Sequence, residues 1–345
     1  MAADSTNHAI AVAVAAAATG TDVVATTAHG HDVTDADPDP TVAPSRLGAK
    51  QLAIHAALFI ATCITTYLAG ERNNPGDGPA FAATLMAILV CHEMGHYVLA
   101  RRHHIDVSLP YFIPLPWMVS LGTLGAIIKM RAPIRDRNQL IDVGAAGPIA
   151  GLVIAIPALI IGLSLSHVVP IQPGGAQEGN SILYGLIKLA MFGRWLPAGG
   201  VDVQLHPMAF AAWVGLLITM INLIPIGQLD GGHVMRAGLG DRHERISAVL
   251  HRALLVVALA AGGYLFVLAR ADGASVLAAL GFASWGAMPW LVWSIALAVM
   301  RNLAGGEYHP PVSGPPLTPG RRLLSHVMIV VFILLFAPIP MRPTL

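Results

Sequence analysis

Residues 79–100 read PAFAATLMAILVCHEMGHYVLA. The stretch is apolar and 22 residues long, enough to cross a bilayer core of about 30 Å. Yet His92, Glu93 and His96 all fall within its last nine residues. An acid at membrane depth costs about 3 kcal/mol even on lenient insertion scales. Something must offset that cost, and the rest of the chain shows that the membrane setting is real. The 345 residues are 55% hydrophobic and 11% charged, against about 25% charged in a soluble domain. Apolar runs long enough to span recur at 50–69, 79–100, 139–165, 207–227, 249–269, 277–300 and 323–340. This pattern predicts an all-α polytopic membrane protein with about six to seven transmembrane helices. A net charge of +1 gives no basic surface for nucleic acid. Cys63 and Cys91 both sit in apolar runs and form no disulfide or cysteine–zinc pattern.

Residues 1–45 are rich in Ala, Thr and Asp, and the first basic residue is Arg46. A secretory signal needs a positive start and a transit peptide is rich in Arg. The expectation is a disordered leader over 1–45 and a membrane domain over 46–345, placed in a bacterial cytoplasmic membrane rather than a plastid. No connector exceeds about 40 residues, so no inserted soluble domain is expected. With the N-terminus cytoplasmic, fourteen of the 20 Lys and Arg residues fall on cytoplasmic segments, five fall outside, and Arg252 lies within a span. This bias orients the chain. It puts the ends of the second and fourth spans, carrying CHEMGH (91–96) and QLDGGH (228–233), at one cytoplasmic depth.

Between the second and third spans, SLPYFIPLPW (108–117) holds three prolines, which rule out a regular helix. VSLGTLGAIIKMR (119–131) reads as a strand or hairpin in or near the membrane. Such backbone is tolerated at membrane depth only against protein or a wet cavity. His103 and His104 follow Arg101 and Arg102 and read as an interfacial basic cluster.

His92 and His96 are four residues apart. On a helix they lie about 40° apart in azimuth and about 6 Å apart in rise, so both imidazoles reach one ion. Glu93 sits about 100° round the helix from His92, beside the ion rather than on it, where a general base belongs. This is the HExxH arrangement of a zinc hydrolase. A catalytic zinc takes three protein ligands and keeps one open position, so a third ligand is required. The other glutamates, Glu71, Glu178, Glu244 and Glu307, lie outside the spans. Asp230 and Asp142 remain. Asp142 opens the third span, where a helix cap explains it. Asp230 follows an apolar run and precedes Gly231 and Gly232, which allow close backbone approach and unusual dihedrals. Asp230 is preferred, with Asp142 and His233 next.

HExGH on one span, followed by Asn222–x–x–Pro225–x–x–x–Leu229–Asp230–Gly231 on a later one, resembles the site-2 proteases, the intramembrane zinc metalloproteases. The likeness runs from about 80 to 236 and includes GAAGPIAG (144–151). YHPPV (308–312) is similar to a branch that includes plant chloroplast members. The inserted PDZ and CBS domains of other branches are not seen. The resemblance implies one zinc per chain on His92, His96 and Asp230, with Glu93 as catalytic base. Asn222 then steadies the substrate or its oxyanion, and an interhelical hydrogen bond is its plainer role. Pro225 is expected to break the fourth helix so that Asp230 turns inward. Gly144, Gly147 and Gly151 are expected simply to let helices pack closely. Implied substrates are single-span membrane proteins, unwound and bound partly as an extended strand on residues 121–131. The alternatives are a non-proteolytic membrane zinc-binding protein and an inactive homologue. A glutamate that is not a ligand, set beside the histidines, favours the enzyme.

Overall fold

The computed structural model describes residues 48–344 except 117, 119, 120, 131–133 and 135. The expected leader, 1–45, lies outside the described residues. The chain is mainly helical, as expected. Among the described residues, five helices are long and apolar enough to span: α1 (Ala49–Asn73), α2 (Gly78–Arg102), α3 (Arg137–Ser164), α7 (Arg242–Ala271) and α8 (Val276–Leu303). Two of the seven expected spans fall short of that length. The fourth is α5 (Pro207–Asn222), 16 residues, and the seventh is α9 (Pro319–Leu335), 17 residues. At 1.5 Å per residue these reach about 24 to 26 Å.

The shortness of α5 has a local cause. Pro225 offers no N–H and disfavours helical backbone at Ile224. Helix α5 therefore ends at Asn222, and a seven-residue break leads to α6 (Asp230–Leu239). A carbonyl-rich break replaces what would have been the rest of the span, and it delivers Asp230 at the first turn of a new helix.

Helices α2, α3 and α5 form the centre. The α2–α3 crossing is close because Gly95 faces the backbone carbonyl of Ala146 with no room for a Cβ. Small residues at such crossings are what membrane packing favours. The helical hairpin α7–α8 packs against α6 and presents Leu255, Val256, Leu259 and Val267 outward.

The expected hairpin is present: β1 (Tyr111–Pro114) pairs antiparallel with β2 (Thr123–Ile127), with an irregularity between Phe112 and Pro114, where proline has no N–H for the ladder. It runs along α1. His55 Nδ1 donates to the Pro110 carbonyl at 3.1 Å, and Thr65 Oγ1 donates to the Gly122 carbonyl at 2.6 Å. These anchors are ten residues apart on α1, or about 15 Å, so the hairpin lies at membrane depth against protein.

The far side carries structure that the sequence reading did not foresee. Within the 165–206 connector are β3 (His167–Pro170), β4 (Ala176–Glu178), α4 (Ile182–Phe192) and β5 (Val201–Gln204). Strand β3 pairs with β5, and β4 pairs with the C-terminal β6 (Met341–Pro343). The exits of α3 and α9 therefore share one side, in keeping with alternating crossings. Lys188 is fully buried there, 3.6 Å from both Glu178 and Asp202. Burial pushes the Glu178 carboxyl up, against the pull of Lys188.

Candidate metal centre

The site stands on two short stretches that the fold brings together. His92, Glu93 and His96 lie on α2, and Asp230 opens α6. His92 Nε2 is 3.2 Å from Asp230 Oδ2, His96 Nε2 is 3.3 Å from the same oxygen, and the two Nε2 atoms are 3.3 Å apart. Three donor atoms thus form a nearly equilateral triangle. A tetrahedral zinc with bonds of about 2.0 to 2.1 Å demands donor–donor edges of about 3.3 to 3.4 Å. The donor set fits zinc in both chemistry and spacing, and it leaves the fourth position open. Among the described residues, no other three His, Cys, Asp or Glu side chains converge in this way.

The histidines are held from behind. His96 Nδ1 donates to the Val143 carbonyl at 2.7 Å. That bond sets the tautomer and leaves the Nε2 lone pair for the ion. The glycines of 144–151 do more than the close packing expected of them. A Cβ on Gly147 would land on the His96 imidazole, with Nε2 the nearest atom. A Cβ on Gly151 would sit 3.2 Å from His92 Nδ1. Helix α3 thus supplies a bare strip of backbone that both ligand rings need. The glycine spacing is plain in the sequence, but its partner is not, because α3 is distant in the chain from α2's histidines.

Asp230 is placed by glycines as well. A Cβ on Gly231 or Gly232 would strike the carbonyls of Leu223, Ile224 or Gly227, so α6 nests in the break that precedes it. Both glycines lie in regular helix; close approach, not unusual backbone, is why they are needed. Glu93 is 6% exposed and lies beside the triangle, not in it. Asn222 closes α5 with its Nδ2 3.3 Å from His92 Nε2, so its amide reaches the donor cluster.

Asp142 is not at the centre, and it is not the cap either. The cap of α3 is Asp136, whose carboxylate accepts from the N–H groups of Asn138 and Gln139. Asp142, one and a half turns further on, takes a two-point ion pair from Arg321 at 2.8 and 2.6 Å, and His103 Nε2 lies 2.9 Å from it. His103 is thus part of a specific pair rather than a diffuse interfacial cluster. His233, the other alternative for the third ligand, is not part of the triangle: its Nδ1 faces His309, 76 residues away, at 2.8 Å.

The chain is similar to proteins named as zinc metalloproteases. The chain is 33% identical over 165 residues to "Probable zinc metalloprotease EGY1, chloroplastic" of Arabidopsis thaliana, covering 45% of this chain and 29% of that protein. It is 35% identical over 176 residues to "Probable zinc metalloprotease EGY2, chloroplastic" of Oryza sativa subsp. indica, covering 50% and 32%. A longer match, 27% identical over 276 residues, joins it to "Probable zinc metalloprotease EGY3, chloroplastic" of the same rice, covering 75% and 42%. The matches with EGY1 and EGY2 thus span only about a third of those relatives' lengths. No solved structure matches the chain. The model of Peptidase family M50 matches residues 80–262, more than half of the chain and the whole of the His92–His96–Asp230 centre. On that match, the chain belongs to Peptidase family M50.

Proposed function

We propose that the chain is a zinc metalloendopeptidase that hydrolyses peptide bonds in or near the transmembrane segments of membrane proteins. The observation that carries this is the three-donor triangle at membrane depth with a buried, non-ligating glutamate beside it. His92, His96 and Asp230 would hold one zinc ion. Bound there, zinc supplies the Lewis acidity that makes water acidic enough to attack and polarises the scissile carbonyl. Glu93 accepts a proton from the attacking water and passes it to the leaving amine nitrogen as the C–N bond breaks. His96, locked by Val143, keeps its lone pair directed at the centre. The Asn222 amide, 3.3 Å from His92 Nε2, would be available to the substrate carbonyl oxygen. Such a donor in a dry site is worth about 3 to 4 kcal/mol in comparable enzymes.

A helical substrate hides its carbonyls in i to i−4 bonds, so it must unwind before it can be cut. Strand β2 pairs with β1 alone among the described residues, and its other edge can take an extended peptide. Along α2, His96 and His92 lie six and ten residues from the end at Arg102. That is about 9 to 15 Å from the expected cytoplasmic face, which supports an active site on that side. The curated relatives are chloroplastic by name, so they do not support the expected bacterial cytoplasmic membrane.

Zinc content tests the reading. Wild type purified in mild detergent should carry about one zinc per chain, and Asp230→Ala should lose most of it. Chelation should stop cleavage of a single-span peptide, and added zinc should restore it. Zinc that survives in Asp230→Ala would remove Asp230 from the ligand set.

A further inference from the structure

Helix α6 is ten residues long, too short to hold itself as an isolated helix, and its N-terminus has no side-chain cap. Yet Asp230, its first residue, must meet two histidines to within tenths of an ångström. Its glycine flank is one constraint. At its other end, Arg137 Nε and Nη2 donate to the carbonyls of Ala237 and Gly238 at 2.8 and 2.9 Å. The side facing the 304–318 connector is held by the imidazole of His309.

That connector is a rigid base. The Tyr308 N–H donates to both carboxylate oxygens of Glu244 at 3.1 Å. His251 Nε2 donates to the Ser294 carbonyl at 2.8 Å, so its Nδ1 accepts from the Tyr308 hydroxyl at 2.9 Å. Ser313 bridges to Asp136. The connector is thus tied to α7 and to the start of α3. His309 itself is 5% exposed. Its Nδ1 donates to the Pro310 carbonyl at 2.8 Å, which leaves Nε2 as an acceptor only. His233 must therefore donate from Nδ1 across the 2.8 Å contact. The rings meet edge to face, 5.0 Å apart at 88°. Burial holds both imidazoles well below their ordinary pKa, which keeps them neutral and this donor order intact. Two buried rings joined by one neutral hydrogen bond gain little stability over an apolar pair. What the bond adds is direction.

We propose that His309 is a positioning residue for the metal centre: by accepting the Nδ1–H of His233, it holds the first turn of α6, and with it Asp230, against His92 and His96. His233 lies one turn after Asp230 and packs on Gly144, where a Cβ would be 2.9 Å from the His233 Cβ and 3.4 Å from the Asp230 carbonyl oxygen. A swing of His233 therefore moves the turn that carries the ligand. The inference rests on Asp230 being a ligand, so Asp230→Ala is measured alongside.

The test is zinc affinity by chelator competition on the full chain in detergent. His309→Leu, which fills space but accepts nothing, should weaken zinc about tenfold, at the low end for residues that orient ligands. His309→Gln, whose Oε1 can accept from His233, should return to near wild type. Glu307→Gln, at an exposed position of the same connector, should leave affinity unchanged. Equal affinity in His309→Leu and wild type, with zinc lost in Asp230→Ala, overturns the positioning role alone. Equal weakening in Leu and Gln variants also overturns it, because acceptance is then irrelevant. Zinc kept in Asp230→Ala overturns the ligand assignment instead. If His309→Leu does not fold, His233→Phe removes the donor, and unchanged zinc affinity in it overturns the proposal.

Discussion

Glu93→Gln is expected to retain about one zinc per chain while cleavage of a single-span peptide falls by about 10² to 10⁴-fold. The carboxamide keeps the shape of the side chain but has no basic oxygen to take the proton of the attacking water. Glu93 lies outside the donor triangle, so the ligands should not notice the change. Its burial leaves little bulk water to stand in as base. The measurement pairs metal analysis with a single-turnover assay in detergent. Cleavage near the wild-type rate would remove Glu93 as base. Loss of zinc in step with activity would instead mean that the glutamate helps hold the ion.

Gly147→Ala is expected to lose zinc, with affinity down by more than about 100-fold, beyond what an outer-shell change usually costs. The new methyl would occupy the place of the His96 ring. The ring must rotate, which takes Nε2 out of the triangle and breaks the bond from Nδ1 to the Val143 carbonyl. The backbone effect has the opposite sign, since alanine inside a helix is favoured over glycine by about 0.5 to 1 kcal/mol. A folded, helical protein without metal is therefore the expected product. Gly263→Ala on α7 is the matched control, because a Cβ there meets nothing within 4 Å. It should bind zinc as wild type does. Full zinc binding by Gly147→Ala would mean that α3 can move away from α2, and that the glycine strip serves packing alone.

Much of the site was legible because its chemistry is local. His92, Glu93 and His96 lie within five consecutive residues, and helix geometry alone puts the imidazoles on one face with the carboxylate to the side. Pro225 marked the end of α5 for the same reason: a missing N–H acts on its own helix, whatever surrounds it. The membrane setting followed from composition, since apolar runs of spanning length have few other uses. The length of the fourth and seventh spans was less legible. Hydropathy continues through Leu223 and Ile224 although the helix has ended, because the break is buried against protein and needs apolar side chains of its own.

What only the tertiary structure decided concerns partners far apart in the chain. The role of Asp142 is one such matter. The sequence already prefers Asp230 as third donor but reads Asp142 as a cap; its actual partner is Arg321, 179 residues away, which satisfies that carboxylate in two points. The glycine strip of α3 is another: residue spacing announces a close approach but not what approaches. The pairing of β4 with β6 and of His233 with His309 are of the same kind, set by contacts with no sequence period to betray them. By itself, the sequence determined the helical membrane fold and the HExxH pair, because covalent geometry and helix periodicity act over a few residues. The completed triangle, its backing by Val143 and Gly147, and the anchoring of α6 depend on where separate helices come to rest, which packing decides.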